Sequence, residues 1–161
     1  MKVLSLLLAV FAISTRCQEE EEGDLSGGWG NQISWISWSS QVRKDGKKVK
    51  PSMVLLHDPS CPACQRLKPL FASSEEIRDS SPHFHMIQTS KNEEPSSLSL
   101  FSPDGSYIPR ILFLAPNGTL LKEIINPQAN PSYQYFYYDP QDIVHSMKQV
   151  IDLFSLHKSE L

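Results

Sequence analysis

The stretch Ser60-Cys61-Pro62-Ala63-Cys64 follows directly on the continuous apolar run Met53-Val54-Leu55-Leu56 and precedes a segment with helical spacing. Such a run reads as a strand buried on both faces, so two thiols sit where a strand hands over to a helix. A helix N-terminus carries partial positive charge and unpaired N–H groups, which favour thiolate over thiol. The two-residue spacer brings both sulfurs within disulfide distance across the first helical turn. Two chemistries suit such a pair: a redox dithiol, or one half of a zinc site. Zinc needs two more ligands, and the chain offers only the scattered His57, His83, His85, His145 and His157 and no second Cys-x-x-Cys. No metal is therefore expected. No Gly-rich phosphate loop follows a strand, so no nicotinamide or flavin cofactor is expected either.

Within the pair, Cys61 lies at the junction and reads as the attacking thiol. Cys64, one turn further in, reads as the resolving thiol that breaks the mixed disulfide. Pro62 and Ala63 bring no charge, leaving the helix terminus as the main stabiliser of a thiolate. A protonated His57, four residues before Cys61, could lower the Cys61 pKa; a histidine that merely hydrogen-bonds is the alternative.

The chain ends suggest a compartment. Residues 1–17 read as a signal peptide: Lys2 gives the positive start, Val3 to Ile13 the apolar core, and the cut falls after Ser14 or Cys17. A signal anchor is the competing reading, but the core is too short to span a bilayer, and Arg16 with Glu19-Glu20-Glu21-Glu22 closes it, so no membrane span is expected after removal. The last four residues, Lys158-Ser159-Glu160-Leu161, form a variant of the address read by the endoplasmic-reticulum retrieval receptor. The two ends together imply residence in the endoplasmic-reticulum lumen, with secretion as the alternative. That lumen is oxidising, at roughly −180 to −210 mV, so disulfide chemistry is available there. Cleavage after Ser14 leaves an odd Cys17 able to link two copies into a homodimer.

A chain of 161 residues fits one domain. Its net charge of −3 and pI near 5.9 exclude a nucleic-acid partner, and the one Lys-rich run, Lys44 to Lys50, reads as a solvated turn. Residues 18–28 are acidic and nearly free of apolar side chains, which predicts a disordered lead-in to a domain over residues 29–157. The cluster Trp29, Ile33, Trp35, Ile36 and Trp38 suits a helix or a strand. Asp45-Gly46 ends that element, and a strand follows over Ser52 to His57. The helix after the dithiol is expected to reach Ile77, kinked at Pro69, which cannot donate a backbone hydrogen bond. A strand is expected over Phe84 to Thr89, then a polar loop over 91–105 with a helical turn around Ser96 to Phe101. Ile111-Leu112-Phe113-Leu114, Asn117-Gly118 and Thr119 to Ile125 read as a hairpin. The aromatic stretch to Tyr138 is either a surface for a client peptide or a loop pinned by its own rings. A last helix starts after Asp139-Pro140, with Ile143, Val144, Met147, Val150, Ile151 and Phe154 on its core face. The order predicts an α/β domain with a central mixed sheet flanked by helices.

Two further positions carry chemistry. Ile108-Pro109 precedes the hairpin; a cis bond there would present the Ile108 backbone to an extended client, although spacing alone favours a trans proline. Asn117-Gly118-Thr119 is an N-glycosylation sequon, and equally the turn that a tight hairpin demands.

The dithiol, Pro69 five residues after Cys64, Ile108-Pro109 and the hairpin beyond resemble the thioredoxin fold. Gly28-Trp29-Gly30, Phe101-Ser102-Pro103-Asp104-Gly105, Tyr107-Ile108-Pro109-Arg110-Ile111, Asn130-Pro131-Ser132-Tyr133 and the Lys-Ser-Glu-Leu tail are similar to the anterior gradient / thioredoxin domain-containing protein 12 family of small endoplasmic-reticulum proteins. The resemblance implies a thioredoxin-like protein acting on secretory-pathway client proteins by dithiol–disulfide exchange, with Cys61 and Cys64 as the redox pair and Pro109 in cis beside them. Two positions depart from the thioredoxin pattern. Ser60 replaces the tryptophan usual before the first cysteine, and Leu55 replaces the buried acid that assists the resolving one. A rival reading is a chaperone-like or secreted signalling protein that uses the fold as a binding module, its cysteines forming an inert bridge or mediating dimerisation.

Overall fold

The computed structural model describes residues 24–38, 50–90 and 102–156. Outside the described residues lie the expected signal segment 1–17, the lead-in as far as residue 23, the Asp45-Gly46 turn with most of the Lys-rich run, the helical turn around Ser96 to Phe101, and the tail 158–161.

The apolar run becomes β1 (Ser52–His57), buried along its whole length. It is the centre of a three-stranded sheet in the order β2-β1-β3. β2 (His85–Ser90) runs parallel to it, with Ser52 opposite His85 and His57 opposite Ser90, and β3 (Arg110–Leu114) runs antiparallel, with Leu56 opposite Arg110. The mixed sheet expected from the element order is therefore present. Side chains alternate across it: Met53 and Leu55 face a helix-covered core, whereas Val54 and Leu56 join Ile87, Leu112, Leu114 and Tyr135 on the other face. The open choice over Trp29–Trp38 resolves partly toward extended chain, since Trp35 bridges Met86 in parallel and the Ile36 N–H donates to the Met86 carbonyl at 2.9 Å.

The helix after the dithiol breaks earlier than its apolar spacing suggests. α1 (Pro62–Ser73) contains Pro69, but the chain turns at Ser74, whose extended backbone closes α1 and whose hydroxyl accepts the Ile77 N–H at 3.3 Å. Ile77 thus belongs to a separate helix, α2 (Glu75–Ser80), with Glu75 and Glu76 suited to its positive first turn. A serine N-cap satisfies a donor that continued helix would not need, and this local bond overrides the hydrophobic periodicity. α3 (Pro140–Leu156) starts where Asp139-Pro140 predicts, with Asp139 Oδ1 accepting the Gln141 N–H at 2.9 Å and Ile143, Val144, Met147 and Val150 buried.

Two other expectations are corrected. Thr119 to Ile125 does not form a strand. The turn forms as predicted, with Gly118 at φ +87° and the Ala115 N–H donating to the Thr119 carbonyl at 2.8 Å, but pairing stops at one Leu114–Leu120 bridge. The Ile124 N–H donates to the Leu121 carbonyl at 3.1 Å, so the chain curls and buries Leu121 and Ile124 instead of extending. The disordered lead-in, expected to residue 28, gives way by Asp24. Leu25 packs against the core, Ser26 is buried, and the Gln88 amide donates to the Leu25 carbonyl at 2.9 Å.

The helix-side core centres on Phe71, which meets Trp29 edge-on at 5.6 Å and Trp35 at 6.1 Å between ring centroids. Phe71→Ala is expected to cost about 3–5 kcal/mol. A lower urea midpoint at unchanged slope checks it; a loss below about 1 kcal/mol would show that the tryptophans repack without the ring.

Candidate functional site

β1 ends at His57 and α1 begins at Pro62, so the four residues between them decide how the sulfurs are presented. The Asp58 carboxylate ties this turn by accepting the Ser60 N–H at 2.8 Å and the Ser60 hydroxyl at 2.6 Å through Oδ1. The Asp58 carbonyl accepts the Cys61 N–H at 3.0 Å, and the Pro59 carbonyl accepts the Gln65 side-chain amide at 2.9 Å. Cys61 is thereby held as the N-cap of α1, in extended conformation, with Pro62 in the first turn where its missing N–H costs nothing. Its sulfur lies at the positive end of a twelve-residue helix.

The two thiols are unequal. No disulfide joins them; Cys61 is half-buried and Cys64 is buried, with 1 % of its surface accessible. Burial pushes the Cys64 thiol up to about 12, with the neighbouring Cys61 thiol and the Asp58 charge adding to the rise and the Asp58 backbone N–H opposing it. Leu55 is fully buried in the same helix-side core. It places no ionisable group there.

The loop before β3 supplies the other wall. The Ile108–Pro109 peptide is cis, as the resemblance implies and spacing alone does not, and the Ile108 carbonyl oxygen lies 3.8 Å from the Cys61 sulfur, within reach of an S–H donor. Sequence reading named all four residues, Cys61, Cys64, Ile108 and Pro109, and the structure brings the Cys61 sulfur, at the head of α1 beside Cys64, against the Ile108–Pro109 loop. The loop is braced from behind. Tyr107 donates to Asp104 Oδ2 at 2.5 Å and accepts the Tyr135 N–H at 2.9 Å, while the Gln134 N–H donates to the same Asp104 oxygen at 2.7 Å. Burial, with the Asp104 bond, raises the Tyr107 pKa and keeps its proton in place. Arg110 is buried, donates to the Gly105 carbonyl and stands 5.7 Å from the centre of the Tyr107 ring.

Asn117 lies elsewhere. It is exposed at the turn beyond the far end of β3, and its Oδ1 accepts the Thr119 N–H at 3.0 Å. His57 is buried against Trp29 at 5.3 Å between rings and shares a 2.5 Å hydrogen bond with Gln88 Oε1. His57 is thus hydrogen-bonded at the end of β1. Sequence reading missed Gln88, Asp58 and Lys68, which donates to the Gly27 carbonyl at 3.0 Å over the Trp29 ring. Only Asp58 carried a signal, as Asp-Pro-Ser before a helix is a turn-forming pattern.

The family model described as thioredoxin-like matches residues 34–116, just over half of the chain. Anterior gradient protein 3 of Xenopus tropicalis is 34 % identical over 147 residues, covering 88 % of this chain and 86 % of that protein. The human anterior gradient protein 2 homolog is 33 % identical over 138 residues, covering 85 % and 75 %. The chain belongs to the anterior gradient family. Among solved structures, a DsbH oxidoreductase superposes with a TM-score of 0.54 at 16 % identity over 78 % of this chain and 88 % of that one. A thioredoxin from Thermus thermophilus gives 0.52 at 16 % identity over 74 % and 88 %. The fold of this anterior gradient chain is thus thioredoxin-like.

A thiol moved from 9.0 to about 12 carries roughly a thousandth of the thiolate at neutral pH. Alkylation of the reduced protein with iodoacetamide near pH 8 is therefore expected to label Cys61 long before Cys64, as read by peptide mass spectrometry. Equal labelling of both would contradict the asymmetry. The same shift has a stability consequence, because folding favours the neutral Cys64 thiol. That contribution is complete below about 9 and is lost as pH rises through about 12.

Proposed function

We propose that the chain is a thiol–disulfide oxidoreductase of the endoplasmic-reticulum lumen that acts on secretory client proteins. The observation that carries this reading is the unequal pair: one half-buried thiol at a helix N-terminus beside the Ile108 carbonyl, and one buried thiol three residues on. Cys61 thiolate attacks a client disulfide, a Cys61–client bond forms, and one client sulfur leaves as thiolate. Cys64 then attacks the Cys61 sulfur, the internal disulfide forms, and the second client sulfur departs. The client gains two electrons and the dithiol loses them; the reverse sequence oxidises a client dithiol. Ile108 and Pro109 flank the attacked sulfur, so an extended client segment would lie along that loop. No metal or cofactor enters this chemistry. The signal segment and the Lys158–Leu161 tail support luminal residence through the retrieval receptor, with secretion when retrieval fails.

Cys64→Ala removes the resolving step and is expected to accumulate mixed disulfides through Cys61, visible as reducible high-mass species on non-reducing gels. Absence of any such species, together with no electron transfer between purified protein and a dithiol or disulfide substrate, would remove the enzyme reading.

One observation favours a second reading as a binding module. Tyr133 and Tyr138 are 51 % and 56 % exposed, and with Tyr107 and Phe136 they form a continuous aromatic row. Full rescue of a loss-of-function phenotype by the double variant Cys61→Ala, Cys64→Ala would establish that reading over exchange.

A further inference from the structure

The thiol site leaves the Asn117 turn unused. Asn117-Gly118-Thr119 is the only Asn-x-Ser/Thr triplet in the chain without proline at its centre. A tight turn and a glycan acceptor both suit Asn-Gly, and the structure separates the two demands. The turn uses Asn117 Oδ1, which accepts the Thr119 N–H at 3.0 Å, Gly118 at φ +87°, and the Thr119 carbonyl, which accepts the Ala115 N–H at 2.8 Å. Among the described residues no hydrogen bond engages the Thr119 hydroxyl. An acceptor triplet requires that hydroxyl and a turn does not. It belongs to an exposed residue, as does the Asn117 amide.

We propose that Asn117 is an N-glycosylation site, modified in the endoplasmic-reticulum lumen; this rests on the luminal reading above and not on the exchange reading. The donor is a lipid-linked oligosaccharide diphosphate. Asn117 Nδ2 forms a bond to the anomeric carbon of the sugar, the bond from that carbon to the diphosphate oxygen breaks with its electrons going to the diphosphate, and one of the two amide protons passes to a base of the transferring enzyme. Nothing is oxidised or reduced.

The fold has room for the product. β3 runs from Arg110, opposite Leu56 at the thiol end of β1, to Leu114, opposite Ser52 at the other end. Asn117 lies in the turn past Leu114, so about 14 Å of strand separates that turn from the cis-proline loop. A glycan at the exposed tip of this turn leaves Cys61 and Ile108 open. The chain also contains a control. Asn130-Pro131-Ser132 is exposed throughout, and Asn130 Oδ1 accepts the Ser132 N–H at 2.9 Å, the same bond that Asn117 makes with Thr119. Its central proline bars modification. The local bond is common to both turns, and the middle residue sets Asn117 apart.

The test is cell-free translation of the full-length chain with and without endoplasmic-reticulum microsomes, run on gels before and after treatment with peptide N-glycosidase. Wild type is expected to give one slower band that is protected from added protease by the vesicles and collapses on glycosidase treatment. Asn117→Asp keeps an oxygen for the Thr119 N–H, and Thr119→Val keeps the β-branch without the hydroxyl; each should remove the slower band. Thr119→Ser should retain it. Pro131→Ala opens a second triplet at Asn130 and should add a second step. A protected wild-type chain without the slower band, or a slower band that survives Asn117→Asp, overturns the site. If wild type is unshifted while Pro131→Ala gains one step, the lumen is reached and Asn117 fails by itself. If no form is protected by the vesicles, the luminal reading falls and the site falls with it.

Discussion

Everything in this site hangs on β1 being buried on both faces. A strand with apolar side chains up and down can be satisfied only between two layers, so Met53 and Leu55 pin it to the helices while Val54 and Leu56 pin it to the opposite core. Parallel pairing to β2 and antiparallel pairing to β3 then leave its C-terminal end no lateral freedom. The antiparallel register sets Leu56 opposite Arg110, so the end of β1 and the start of β3 are neighbours. The thiols follow one and the cis-proline loop precedes the other. The 3.8 Å approach of Cys61 to the Ile108 carbonyl follows from that register.

The same frame separates the two sulfurs. Helix α1 must bury Cys64, Leu67 and Phe71 on one stripe, and a residue three positions before Cys64 falls at the helix mouth instead. Apolar packing thus dictates which thiol is desolvated, and desolvation is the leading cause of the raised Cys64 pKa. At the mouth Cys61 stays half-buried at the N-terminus of the helix, so one stripe of packing separates the two cysteines by burial.

What the sequence made legible was the part governed by strong local or periodic signals: β1 from its unbroken apolar run, α3 from Asp139-Pro140 and its stripe, the turn from Asn117-Gly118, the dithiol from its spacing. The failures share a physical cause. The break at Ser74 depends on one hydroxyl choosing to cap, which serine does in some contexts and not in others. The loss of the strand over Thr119 to Ile125 depends on core space that accepts Leu121 and Ile124 from a curled chain. Trp35 is tied to Met86 across about fifty residues, and His57 to Gln88 across thirty-one, so neither pairing leaves a trace in neighbouring sequence. Asp58 lay beside the motif and went unread although Asp-Pro-Ser before a helix is a turn-forming pattern.

The aromatic segment after Asn126 shows how one stretch serves two ends. Taken as composition it is either a loop pinned by its own rings or a surface for a client, yet alternate residues divide the work. Tyr135 and Tyr137 point inward: Tyr135 donates to the Lys122 carbonyl at 3.0 Å, and Tyr137 shares a 2.9 Å hydrogen bond with Ser146 of α3. The Tyr135 carbonyl also accepts the Ile111 N–H at 3.0 Å, which ties the segment to β3. Tyr133 and Tyr138 point outward, and Tyr133 meets Tyr107 edge-on at 5.0 Å. Tyr107 is therefore the link between faces, since its hydroxyl bonds Asp104 and the Tyr135 backbone while its ring supports Tyr133. It stands one residue before Ile108. The loop that places a carbonyl beside Cys61 is held by the same residue that carries the exposed aromatic row, so the bracing of the thiol site and the shape of that row are set together.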